Sequence, residues 1–155
     1  MSQRLPLLEA TFKNLLADGY VPKSPPSDVY NCVAYAAGDE SRVWQGYRVA
    51  GYWPEGAKQG REIAALLDAF EKIGYVSCGL DGSLEPDYDK VVLYWDGKKD
   101  WTHAARQWID GRWTSKMGDL EDIIHKTPYA LVGPPREYGD VYGYMKRPKS
   151  QKGGQ

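Results

Sequence analysis

Long apolar runs are missing from this sequence, and with them any stretch of about 20 residues able to cross a bilayer as a helix. The opening MSQRLPLLEATF lacks the apolar centre of a secretory leader, so the expected location is cytoplasmic. Charge of one sign is missing as well. A formal net charge of −1 gives no long-range field to draw nucleic acid or an anionic membrane, and neither is expected as a partner. The basic run from Lys146 to Lys152 reads as a solvated tail. Cysteine is scarce: Cys32 and Cys78 stand far apart in the chain, which is neither a disulfide framework nor a metal-ligand pair. Although His103 and His125 raise the count of soft ligands to four, no C-x-x-C or H-x-x-x-H spacing accompanies them, so no metal and no cofactor is expected. Phenylalanine is rare, with 2 residues, whereas 6 Trp and 12 Tyr supply amphipathic rings suited to half-buried clefts and rims.

What is present suffices for one core. With 155 residues, 42% of them hydrophobic, the chain reads as one domain over 1–148 followed by a polar tail, 149–155. Apolar residues at 5, 7, 8, 12, 15 and 16 predict a first amphipathic helix, ended by Asp18-Gly19. Three prolines in residues 21–28 predict a loop. A short helix then carries Cys32, capped by Asn31 or by Ser27 or Asp28 upstream and closed by Gly38. Trp44, Tyr47, Tyr52 and Trp53 mark a folded loop. The clearest helix runs from Glu62 to Ile73, with Ile63, Leu66, Leu67, Phe70 and Ile73 on one face and Gly74 as its stop. Lys90–Trp95 has the β-branched and aromatic content of a buried strand. Trp101–Trp108 and Arg112–Met117 form a hairpin around Asp110-Gly111, a helical turn is expected at Leu120–His125, and Val141–Met145 supplies a last strand. Helices first and antiparallel strands later predict an α+β domain.

The chemistry centres on Cys32. A thiol becomes a nucleophile on losing its proton, which a helix N-terminus promotes and a neighbouring imidazole can accept. His103, in WTHAARQ, is the candidate base. The hairpin permits two registers. A three-residue loop with Gly111 left-handed pairs Trp108 with Arg112 and places His103, Ala105, Gln107, Trp113, Ser115 and Met117 on one face. That register separates apolar from polar residues more cleanly than the two-residue alternative, and it sets Ser115 diagonal to His103. Ser115 is then the candidate orienting group, with Gln107, Asp119, Asp122 and His125 as rivals. Tyr30 and Asn31, beside the nucleophile, are candidates for steadying an oxyanion with the Cys32 backbone N–H. Cys78 and the aromatic loops carry no individual role.

Asn31-Cys32 opening a helix, His103 on a strand, and a polar residue twelve positions later across a glycine-bearing hairpin resemble the papain-like cysteine hydrolases of the NlpC/P60 and CHAP kind. The resemblance implies a papain-like fold, N-terminal helices packed on a mostly antiparallel sheet, with Cys32 as nucleophile, His103 as base and Ser115 as third member. The sequence departs from the usual D-C-S-G opening, which is N-C-V-A here, and serine is an uncommon third member. The longer pattern N-C-V-A-Y-A, Y-W-P, H-A-A-R-Q, G-R-W-T-S-K-M-G and I-I-H is also similar to a bacterial domain family to which no reaction is attached. The expected activity is hydrolysis or acyl transfer on an amide of a protein or peptide substrate, through a thioester. The rival expectation is a non-catalytic binding module, an inhibitor or adaptor, with aromatic anchors.

Overall fold

The structure, a computed structural model, describes residues 4–46, 51–134 and 137–149. Its frame is a seven-stranded antiparallel sheet in the order β1-β6-β5-β4-β3-β7-β2. The strands are β1 (Tyr20–Ser24), β2 (Val76–Ser77), β3 (Tyr88–Trp95), β4 (Trp101–Gln107), β5 (Trp113–Lys116), β6 (Asp122–His125) and β7 (Asp140–Pro148). The helices are short: α1 (Pro6–Thr11), α2 (Leu15–Asp18), α3 (Cys32–Ala36) and α4 (Ile63–Lys72), with a 3-10 turn at Pro128–Leu131.

This arrangement corrects the papain-like α+β expectation. The helix bearing Cys32 has 5 residues, and the sheet, running from residue 20 to residue 148, is the body of the molecule. Three local departures explain the difference. The expected first helix breaks into α1 and α2 because Phe12 turns extended and packs its ring 5.0 Å from that of Tyr138. The proline-containing stretch after it is partly a strand: β1 lies at the sheet edge, where a proline without an N–H is tolerated, and its register shifts between Pro22 and Ser24. Leu120–His125 forms strand β6 at its end rather than a helical turn, because β-branched Ile123 and Ile124 pair on both sides, with β5 and with β1.

Elsewhere the pattern and the structure agree. Lys90–Trp95 lies inside β3, whose centre is buried on both faces, hence its unbroken apolar run. Helix α4 buries Ala65, Leu66, Ala69 and Phe70, and Gly74 follows it at φ 101°. The β4–β5 hairpin takes the three-residue loop: Trp108 N–H donates to the Arg112 carbonyl, Gly111 is left-handed at φ 95°, and Gln107 pairs with Trp113.

The sheet divides two cores. On the first face α3 and α4 pack with Trp44 and Trp53 against Val91, Leu93, Ala104 and Met145. On the second, α1, α2 and the 3-10 turn cover Val92, Tyr94, Ala105, Trp113, Met117 and Ile123. Trp44 and Trp53 are therefore core residues, while Tyr47 lies outside the described residues. Among the described residues, no helix is long and apolar enough to cross a membrane.

Candidate active site

Asn31 builds the entry to α3. Its Oδ1 accepts the backbone N–H of Ala34 at 3.2 Å and of Trp44 at 3.0 Å, while its Nδ2 donates to the Trp44 carbonyl at 2.8 Å. It is an N-cap that also ties down the aromatic loop, and these bonds use its carbonyl oxygen and one of its two N–H donors. Tyr30 is likewise engaged, its hydroxyl donating to Asp122 Oδ2 at 2.7 Å. Both residues hold structure: the Tyr30 hydroxyl hydrogen is committed to Asp122, while Asn31 spends one of its two N–H donors on Trp44.

The sulfur of Cys32 sits against strand β4. The backbone N–H groups of Ala104, Val33 and Cys32 itself face it, with the Lys116 ammonium farther off. All four favour thiolate, yet burial outweighs them and pushes the thiol up to about 11. Helix α3 has five residues, so few aligned peptide units act against that desolvation. β4 and β5 pair only at Arg106↔Thr114 and Gln107↔Trp113. Past those pairs the α3 end of the first core approaches the sheet.

His103 projects to the second face, beside Tyr94 and under Tyr138, whose ring lies 4.0 Å away and within 3° of parallel. Its Nε2 is 3.1 Å from Ser115 Oγ, the diagonal contact expected from the register. Ser115 Oγ is in turn 2.7 Å from His125 Nε2, and His125 Nδ1 is 2.9 Å from the Thr127 carbonyl. Of the four rivals for the third position only His125 joins this chain. Gln107 donates to the Gly82 and Gly111 carbonyls, Asp119 is exposed in a turn, and Asp122 lies on the other face with Tyr30.

The chain of contacts fixes the protons. A carbonyl only accepts, so His125 carries its hydrogen on Nδ1 and its Nε2 is an acceptor. Burial holds His125 neutral by lowering it to about 4, so that acceptor takes the Ser115 hydroxyl hydrogen. Ser115 Oγ then receives a hydrogen from His103 Nε2. Burial, with the His125 charge second, also holds His103 well below the usual histidine range, so its ring is neutral. Its Nδ1 is thus a bare lone pair, buried and with no hydrogen-bond partner among the described residues. An unpaired buried acceptor is costly, and here it is a base without a proton.

The structure brings His103 and Ser115 together and sets Cys32 against Ala104, the next residue on β4. The sulfur packs with the first core at the Ala104 N–H, where β4 and β5 no longer pair, the imidazole lies in the second, and among the described residues the two share no hydrogen bond. They are not isolated: the Cys32 charge acts on Tyr138, which stacks on His103, although burial is the larger cause raising that phenol. Sequence reasoning missed Tyr138. Its signal was the glycine after it: Gly139 has φ 74°, and a Cβ there would collide with the Trp95 carbonyl, so the segment that lays Tyr138 over His103 requires glycine. Thr102 anchors the same segment, donating to the Tyr138 carbonyl at 2.6 Å. Among the described residues no group of three His, Cys, Asp or Glu could hold a metal ion.

Residues 22–146 match the family described as a domain of unknown function, DUF7689, and the chain belongs to that family. No curated protein and no solved structure matches the chain.

Proposed function

We propose that the protein is a cysteine-dependent hydrolase or acyl transferase acting on an amide of a peptide, an isopeptide or a glutamine side chain. Cys32 is the nucleophile, His103 the general base, and Ser115 the group that orients the imidazole, with His125 behind it. The observation that carries this reading is the buried, unprotonated, unpartnered Nδ1 of His103, which three hydrogen bonds beginning at the Thr127 carbonyl hold in that form.

The chemistry follows from a neutral resting pair. As Sγ adds to the substrate carbonyl carbon, the thiol proton passes to His103 Nδ1 and the carbonyl electrons move to oxygen. The Cys32 and Val33 backbone N–H groups, released as the sulfur moves, are the donors for the carbonyl oxygen as it gains charge. Collapse breaks the carbon–nitrogen bond, and the departing amine takes the proton from Nδ1. Water or a second amine then adds to the thioester, giving its proton to Nδ1, and the expelled thiolate recovers it. For this the sulfur must leave the Ala104 N–H and reach Nδ1 through the unpaired gap between β4 and β5 when substrate enters.

The test is acylation by 4-nitrophenyl acetate, followed as nitrophenolate release and as the intact mass of an acylated Cys32. The expected result is acylation that is lost in Cys32→Ser and slowed about 100-fold or more in His103→Gln. Ser115→Ala should leave a slower reaction with a displaced pH profile. Equal rates in the wild type and His103→Gln would refute the base role. That outcome would favour the second reading, a non-catalytic binding module, for which the specific support is the thiol pushed up to about 11.

A further inference from the structure

Away from Cys32, a cleft of about 280 Å³ opens between the C-terminal end of α3, the β4–β5 hairpin and the segment before β3. Its floor is Tyr35 and Thr114, joined by a 2.7 Å hydrogen bond in which the tyrosine donates, since Thr114 gives its own hydrogen to the Ile123 carbonyl. Trp108 forms one wall, with Leu84 and Ile109 beside it.

The charges in this cleft do not balance. Lys90 is neutralised by Glu85 at 2.8 Å, and Asp89 by Arg147 at 3.5 Å. The Arg106 guanidinium, half-buried on β4, has no hydrogen bond or ion pair among the described residues. Lys23 reaches over the cleft with its ammonium 5.7 Å from the Tyr35 ring and 5.4 Å from the Trp108 ring, and Lys149 stands at the rim. Against these three cations the lining sets only Glu40. An arginine on a strand, its stem fixed by pairing on both sides and its planar fork unused, is preorganised for an oxyanion. Flat rings next to that fork favour a flat ligand.

We propose that this cleft binds a small organic oxyanion carried on a flat ring, an aromatic carboxylate or an aryl phosphate. Arg106 grips the oxyanion bidentately, Lys23 and Lys149 add charge, and Trp108 and Tyr35 receive the ring. The site does not depend on the role assigned to Cys32.

The experiment uses the full chain with benzoate, phenyl phosphate, inorganic phosphate and benzamide as probes, read by calorimetry and by the amide and indole NMR signals of Trp108. Saturable binding of benzoate or phenyl phosphate in the low-millimolar range or tighter is expected, with the phosphate ester the stronger if the excess positive charge governs. Benzamide, the uncharged isostere, should bind at least tenfold more weakly than benzoate. Arg106→Gln should weaken the binding acid about tenfold or more while leaving the melting temperature in place, because the guanidinium makes no internal bond to lose. Should that variant not fold, Lys23→Gln and the benzamide comparison on the wild-type chain carry the test. The proposal is overturned if neither acid binds, if Arg106→Gln binds as well as the wild type, if benzamide matches benzoate, or if inorganic phosphate binds as tightly as phenyl phosphate.

Discussion

The two faces of the sheet arrange their buried polar groups differently, each leaving one atom without a partner among the described residues. On the first, Thr114, Lys116 and Asp122 are buried and each reaches a partner beyond the sheet: Thr114 meets Tyr35, Lys116 donates to the Gly118 and Leu120 carbonyls at 2.7 Å, and Asp122 meets Tyr30 through Oδ2 while its Oδ1 is left without a partner among the described residues. On the second, His103, Ser115 and His125 bond in line under an aromatic cover, and one nitrogen is left over. The same short strands carry both sets by alternation, so a slip of one residue in the β4–β5 hairpin would exchange them. One face uses its polar groups to fasten elements together; the other uses them to fix where a proton is not.

That contrast can be broken from either side. The largest effect is expected from Phe70→Ala, which empties a site at 0% exposure beside Tyr75 on the first face. It should cost about 3–5 kcal/mol in urea unfolding and leave the second-face histidines neutral at pH 7. Next is acid. Because burial lowers His125 to about 4 from an ordinary 6.5, the unfolded chain takes up a proton in that window and the folded one does not. Stability therefore falls as pH drops from about 6.5 to 4, by roughly 3 kcal/mol for His125, and His103 adds in the same direction. His125→Asn should flatten that slope, whereas a first-face variant should not.

Asn31→Ala removes a cap and a tie to Trp44 and should cost about 1–2 kcal/mol, with near-ultraviolet dichroism reporting the freed aromatic loop. The smallest effect belongs to Lys58→Gln. Its ammonium stands 3.9 Å from Glu62 with both side chains largely exposed, and no measurable shift of the urea midpoint is expected.

How much of this was legible in sequence follows from the range of each interaction. Helix α4 and strand β3 were readable because their patterns complete within one element, and the β4–β5 register because Gly111 fixes the turn. The His103–Ser115 contact came with that register. The edge strand β1 was not readable: its prolines argue against a strand locally, and only pairing with β6, about a hundred residues later, overrides them. The same remote partner turns Ile123 and Ile124 into strand. The burial that pushes the thiol up was not readable, because helix length and packing around the cap are set by tertiary contacts. The papain-like likeness rested on short motifs around three residues, which fix neighbours but not a fold.

The most direct measurement is the pair of imidazole tautomers, read from long-range proton–nitrogen-15 correlations at pH 7. Only two histidines are present, so the assignment is unambiguous. The account predicts His103 with its hydrogen on Nε2 and a bare Nδ1, His125 with its hydrogen on Nδ1, and neither titrating near the ordinary histidine value of about 6.5. A His103 protonated on Nδ1, or one that gains charge near that value, would contradict it.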